Sequence, residues 1–412
     1  MQAANLSPVP PADRTQSGWD LFLVFAAANI VATTMQVGAS LGAGLSPDRL
    51  WVAVGIGSVV GAALVAVLAP IGSRLGVPSM IAARAVLGHT GAHLVAAVLF
   101  VTNFAWIAVN NVIAASVAAR MLPLPLDERA WAVLVGLAST AVVAGGPQAV
   151  RRADRWAVPL MGLAGVAVTW LVLGLPDAPP IPADAPAPPL PLLLDIVIGY
   201  QVSWLLMFAD YSRFTAKART SALAVFAGLA LTALWLMPLG WRLARHAGSA
   251  DPGTMLAAAG AGTAAAVLIV LATVTTNFVN IYLSSLAWRS VIPAVSDGAA
   301  VWIVGLTGTV LGLTGGWLDR FAGFMTVVGS VLVPVGGVLL AHFVLRPRPV
   351  DVAALYDPRG PLAGIRWPGV IAWAAGVATY YLVAGGATIP SLVVAVVAYL
   401  LLARAPEAAP VR

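Results

Sequence analysis

The sequence predicts an all-α polytopic membrane protein. Twelve transmembrane helices are expected, ten of them forming two inverted sets of five and two lying peripheral. Three observations carry this. Hydrophobic residues make up 60% of the 412 and charged residues 9%, with a mean hydropathy of +0.93, against about 25% charged in a soluble domain. Several apolar runs exceed the roughly 20 residues that cross a bilayer, and none alternates as the strands of a membrane barrel do. A Pro-rich stretch at 176–191 divides the first ten runs into two fives. An odd number of spans per set forces the sets into opposite orientations, the plan of an inverted-repeat transporter.

The spans are expected at 20–44, 49–72, 92–120, 130–146, 155–175, 192–213, 220–244, 261–288, 298–315, 321–344, 367–385 and 388–404. With the N-terminus inside, the cytoplasmic segments hold 16 of the 22 Lys and Arg. That bias orients a chain with both termini cytoplasmic in a bacterial-type plasma membrane. The organisation follows as a tail at 1–17, a first repeat at 18–175, an extracellular linker at 176–191, a second repeat at 192–345, a cytoplasmic loop at 346–366, two peripheral helices at 367–404 and a tail at 405–412. The first 17 residues are polar and lack the apolar core of a signal peptide.

Composition also excludes classes. Cysteine is absent, so disulfides, thiolate metal sites and thiol nucleophiles are absent too. The four His show no HExxH spacing and no GxxxxGK[ST] occurs, which removes the usual zinc and ATP motifs. No acid, base and nucleophile set gathers as an enzyme requires. The pI near 10.2 reflects basic residues spread singly through loops, not a nucleic-acid patch. The expected partners are the lipid bilayer and a small molecule, with no ATPase subunit and no organic cofactor.

Four spans carry polar side chains at membrane depth, where they are costly unless they face a cavity or a partner. The sixth, GYQVSWLLMFADYSRF, holds Gln201, Ser203 and Trp204, then Asp210 and Arg213 at its end. The first holds Asn29, Thr33, Thr34 and Gln36 before Gly38, Gly42 and Gly44. Two polar, Gly-interrupted spans at matching places in two halves point to broken helices around a midplane site. In the third span Asn103, Trp106 and Asn110 share one helical face. A flat aromatic beside amides suits a flat heterocycle, whose ring stacks while the amides read its edge. The eighth concentrates Thr273, Thr275, Thr276, Asn277, Asn280, Ser284 and Ser285. Neutral oxygens beside freed carbonyls would hold a small hard cation. The competing account of all four is helix glue: amides and hydroxyls tying helices together, glycines allowing close packing. Trp51, Trp131, Trp156 and Trp288 fall near span ends and read as interfacial anchors. Asp195 is expected near the outer face in contact with solvent. Pro334, Gly336 and Gly337 would let the tenth span bend.

Five short stretches in order resemble the nucleobase–cation symporter-1 family of cytosine and purine permeases. They are LGAGLS (Leu41–Ser46), TNFAW (Thr102–Trp106), FADYSRF (Phe208–Phe214), TTN (Thr275–Asn277) and PVGGV (Pro334–Val338). The resemblance runs through about the first 345 residues. It implies a leucine-transporter-like fold, cation symport by alternating access, and substrate held between the first, third, sixth and eighth spans. Carried over by position, Trp106 would stack on the base. Asn103 and Ser203, with Asn277 and Asn280, would by the same carry-over meet its polar edge; Asn29, Asn110, Gln201 and Trp204, read from the polar spans themselves, are expected to complete the substrate site. The Na+ coupling ion would sit on the carbonyls of Ala27, Ile30 and Ala272 and the hydroxyls of Thr275 and Thr276. One departure is Gln201, which stands where the cytosine permeases have a second stacking aromatic. Either the sandwich is lost, or Trp204 or Tyr200 replaces it, and the amide would favour a substituted aminopyrimidine such as hydroxymethylpyrimidine. Proton-coupled import of allantoin or hydantoin, and amine or amino-acid transport on the same fold, stand as alternatives.

Overall fold

The computed structural model describes residues 7–176, 181, 187–291 and 295–403. Most of the linker expected at 176–191, residues 1–6 of the N-terminal tail and the tail at 405–412 lie outside the described residues. Among the described residues every named element is helical. α1 (Gly18–Asn29) and α2 (Ala32–Ser40) form one span bent by 56°. Ser17 and Asp20 start α1 with reciprocal side-chain to backbone bonds, satisfying two otherwise orphaned donors. α3 (Pro47–Leu75) stops at Gly76, which takes the left-handed conformation with φ 71°, a C-terminal signal that favours glycine. α4 (Ser79–Met121) breaks at Gly88, and its apolar part spans Ala96–Met121. α5 (Glu128–Ala144) and α6 (Pro147–Leu173) complete the first half.

The second half opens with α7 (Leu190–Val202). The sequence places the sixth span at 192–213 and expects it to be broken; the chain leaves the α-helix at Ser203 and runs as a 3-10 turn to Met207, with a second 3-10 turn at Ser212–Phe214. Asp210 and Arg213 therefore belong to an irregular segment. α8 (Ala218–Ala247), a short α9 (Pro252–Ala258), α10 (Thr263–Val291), α11 (Asp297–Gly312) and α12 (Phe321–Leu340) follow. α9 has no counterpart in the sequence reading, being only about two turns long. α12 runs unbroken through Pro334 and ends in a π turn at Ala341–Leu345. α13 (Trp367–Leu382) and α14 (Thr388–Leu402) make the final hairpin. Among the described residues five helices are long and apolar enough to span alone, or six spans if the bent α1–α2 pair is one.

Two groups of helices frame the centre. α1, α2, α3, α7 and α8 pack together, and α4, α5, α10 and α11 form a second cluster. α12 lies on α7 and on the hairpin. The glycines mainly serve close packing, as the competing account holds. A side chain at Gly38 would meet the Met237 carbonyl and one at Gly240 the Met35 carbonyl, so α2 and α8 touch backbone to backbone. A side chain at Gly199 would strike the Met325 carbonyl of α12. Gly199 admits α12, and the break in the sixth span falls four residues later, at Ser203.

Asp195 departs from expectation. It is 5% exposed, and its carboxylate accepts from the backbone N–H of Ala387 at 2.9 Å and of Thr388 at 3.1 Å. The charge caps α14, where orphaned N–H groups and the helix dipole favour an anion. Trp131 departs too: it is buried against α4 rather than anchored at an interface, while Trp51 and Trp156 are exposed.

Candidate functional site

Where the two broken spans cross α4 and α10, they enclose a central cavity. Its wall is Ala28, Val31 and Thr33 at the first break; Tyr200, Ser203, Trp204 and Met207 at the second; Asn103, Trp106 and Asn110 from α4; and Thr276 and Asn280 from α10. The i, i+3, i+7 spacing of the α4 residues does place them on one face. None of the lining side chains carries a charge. The cavity encloses about 40 Å³, room for a few waters at most. A heterocycle enters it only when the walls part.

Its polar atoms are poorly satisfied by protein. Asn103 Nδ2, both amide atoms of Asn110 and Trp204 Nε1 are buried without a hydrogen-bond partner among the described residues. An unpaired buried donor or acceptor costs about 1–3 kcal/mol. Four such atoms around one uncharged cavity are what a ligand with donors and acceptors on its rim would repair. Trp106 is packed by Tyr200, Phe321 and Phe324 at interplanar angles of 73°, 73° and 67°. All three meet it edge-on, so none of them takes the stacked position over its face. The second break is held by Ser203, whose Oγ donates to the Tyr200 carbonyl at 2.7 Å.

Three of the predicted substrate residues turn elsewhere. Asn29 donates to the Leu229 carbonyl at 3.2 Å and to Thr232 Oγ1 at 2.8 Å, and Gln201 donates to the same Leu229 carbonyl at 3.1 Å. Both amides tie a broken helix to α8 and neither lines the cavity. The adjacent residue, Tyr200, does. Asn277 donates to Asn111 Oδ1 at 2.8 Å, and Asn111 in turn reaches Thr309 at 3.4 Å, joining α10, α4 and α11. These three amides donate to neighbouring helices, while the oxygen of each is buried without a partner among the described residues. The cavity also recruits Thr33 and Tyr200, visible in the sequence as polar groups on interrupted spans. Ala28, Val31 and Met207 join it with no chemical signature that a sequence could offer.

The residues suggested for a cation come from the first break and from α10. Ile30 leaves helical geometry with φ −83° and ψ 69°, and its N–H reaches the Ala26 and Ala27 carbonyls at 2.9 and 3.2 Å. Ile30 and Ala272 line one small cavity of about 20 Å³. Thr275 and Thr276 donate to the Ala272 carbonyl at 2.9 and 3.0 Å. Their protons point at Ala272, so each hydroxyl oxygen keeps lone pairs for a cation. A set of neutral oxygens fits a small hard ion. Among the described residues no group of three His, Asp or Glu gathers to hold a transition metal.

A second, larger cavity of about 660 Å³ opens beyond the central one. Val112, Ala115 and Arg120 carry α4 from the first to the second, where Ala39, Gly42, Asp251, Gly316 and Trp317 also face it. Here polar groups are paired. The Asp251 carboxylate accepts from Ser116 Oγ (2.6 Å), Arg120 Nε (2.9 Å), and Thr254 N and Oγ1 (2.8 and 2.6 Å). Burial resists its charge, but these donors outweigh burial and hold the carboxyl below its ordinary range. At the opposite end of the bundle, Arg14 donates to the carbonyls of Val9, Ser73 and Arg74. Gln16 N–H bonds the Phe214 carbonyl at 2.9 Å, and Asp210 accepts from Ser79 N at 3.2 Å. The N-terminal segment thus closes over the end of the sixth span.

Residues 8–403 match the family model described as permease for cytosine/purines, uracil, thiamine, allantoin. The chain is 27% identical over 398 residues to the cytosine permease of Escherichia coli (strain K12), covering 96% of this chain and 93% of that protein. It superposes on Mhp1, a nucleobase-cation-symport-1 family transporter, in a closed conformation with bromovinylhydantoin bound. The TM-score is 0.82 at 18% identity, over 98% of this chain and 95% of that one. A Na+-coupled sialic acid symporter shares the fold with TM-score 0.61 at 11% identity, over 95% of this chain and 89% of that one.

Proposed function

The chain belongs to the family of permeases for cytosine/purines, uracil, thiamine and allantoin, and from that membership we propose that it imports a nucleobase or related aminopyrimidine by Na+ symport with alternating access. It is a transporter, not an enzyme. The ring stacks on Trp106, and Asn103, Asn110, Trp204 and Asn280 read its rim. The observation that carries this reading is the set of four unpartnered polar atoms in an uncharged cavity beside a Trp face free of stacked neighbours. An amino-acid carboxylate would find no charged partner there.

Na+ would bind the carbonyls of Ala27, Ile30 and Ala272 and the hydroxyls of Thr275 and Thr276. Thr276 also lines the substrate cavity, which sets the two cargoes side by side. Both termini are cytoplasmic in this reading, so the 660 Å³ cavity opens outward in the plasma membrane. Hydroxymethylpyrimidine, cytosine and purines all remain in scope, because Gln201 bonds α8 and gives no reason to prefer a substituted ring.

The test is competition uptake in cells or proteoliposomes with cytosine, uracil, adenine, hypoxanthine, hydroxymethylpyrimidine, allantoin and hydantoin. It is run with Na+, with choline, and with a pH gradient alone. Uptake of one ring that collapses in choline is expected. Uptake driven equally by the pH gradient in choline would reject sodium, and uptake of none of these rings would reject the substrate class.

A further inference from the structure

Tyr200 stands where the sixth span breaks, and Thr34 stands just past the break in the first. Their hydroxyls bond each other across 166 residues of sequence, and Thr34 Oγ1 also bonds the backbone carbonyl of Asn29. The proton directions in this chain are fixed by exclusion. A backbone carbonyl only accepts, so Thr34 must spend its single proton on Asn29. Thr34 can then only accept from Tyr200, whose own proton is thereby committed. Thr33 Oγ1, at 3.4 Å, is left to approach the Tyr200 oxygen as a donor. All three side chains are buried. The result is a directed run from Tyr200 through Thr34 to the Asn29 carbonyl.

The ends of the run matter. Asn29 lies between Ala27 and Ile30, the two first-span carbonyls suggested for the cation. Tyr200 lines the central cavity with its ring centroid 5.9 Å from that of Trp106. An isolated Tyr hydroxyl at this place would serve only packing. One committed to the opposite break couples the two. We propose that Tyr200, through Thr34, is the positioning residue that transmits cation occupancy at the first break to the heterocycle cavity. The inference rests on the symport reading above. A cation that draws in the Ile30 carbonyl shifts the neighbouring Asn29 carbonyl. Thr34 follows it, and the Tyr200 ring takes or leaves its place beside Trp106.

The experiment is equilibrium binding to the full chain in lipid nanodiscs, with cytosine or whichever ring of the uptake panel the wild type binds most tightly. It is measured in saturating Na+ and in choline. Coupling between two sites is typically about 5–150-fold in affinity and is reciprocal. Tyr200→Phe keeps the ring and removes the hydroxyl. It should erase most of the Na+ enhancement, read as the ratio of affinities in Na+ and in choline whatever the affinity in choline, with the same loss in the effect of the ring on Na+ affinity. Thr34→Val should behave alike, and the double variant should be no worse than either single one, because the two hydroxyls act as one link. Thr34→Ser restores the hydroxyl and should restore coupling, which separates this role from packing. Wild-type enhancement in Tyr200→Phe, or additive losses in the double variant, overturns the proposal. A wild type whose ring binding ignores Na+ rejects sodium symport itself, and is read before any variant is made.

Discussion

The central cavity and the outer one are built from similar residues to opposite effect. At the outer one, Asp251 takes four hydrogen bonds from Ser116, Arg120 and Thr254, and the space is large. At the centre, Asn103, Asn110 and Trp204 leave four polar atoms unpaired in a space too small for a ring. Satisfied polar groups hold α9 against α4. Unsatisfied ones leave a cost that a ligand with matching donors and acceptors relieves, and composition alone does not tell the two regions apart.

The strongest way to break that contrast is Trp106→Ala. Stacking on an aromatic is worth about 1–3 kcal/mol per base, so affinity should fall roughly tenfold to over a hundredfold while the purified protein stays folded. Binding isotherms check it, and unchanged affinity removes Trp106 from the site. Next is Asn110→Leu. It removes an unpaired buried amide, so thermal stability should rise, on the scale of about 1–3 kcal/mol, while ligand affinity falls. A variant that loses stability as well would show Asn110 to be helix glue.

Asp251→Asn tests the outer region. The variant should lose about 1–2 kcal/mol at neutral pH, the scale of charged hydrogen bonds in a half-buried site. Because the folded carboxyl titrates below its usual range, its contribution is complete above the unfolded pKa of about 3.9. It is lost as pH falls through the lower folded value. Melting curves of the two proteins should therefore converge in acid, and a gap that persists in acid would reject the carboxylate's role. The smallest effect is expected of Gln201→Met. Its amide faces α8 rather than the cavity, so the rank order of competing rings should stay as in the wild type. A changed order would return Gln201 to the site.

Composition and spacing alone were enough for the all-helical membrane class, for the expectation of two inverted halves, and for the face that Asn103, Trp106 and Asn110 share. Apolar runs of bilayer length admit little else, and an odd number of spans per half forces the inversion. Asn103, Trp106 and Asn110 were legible because helical spacing alone fixes a shared face. What it left open was direction on the broken helices. Asn29, Tyr200 and Gln201 lie on the last helical turns before the breaks at Ile30 and Ser203, where polar residues point to more than one side and the pattern names no single cavity face. So Tyr200 and Gln201, adjacent in sequence, went to opposite tasks, and Asn29 and Gln201 met on one carbonyl of α8. Asp195 was misplaced for a related reason: its partners, the first N–H groups of α14, lie almost 200 residues away. Only packing decides where such long-range partners fall, because a buried polar group takes whatever complementary group the neighbouring helix presents.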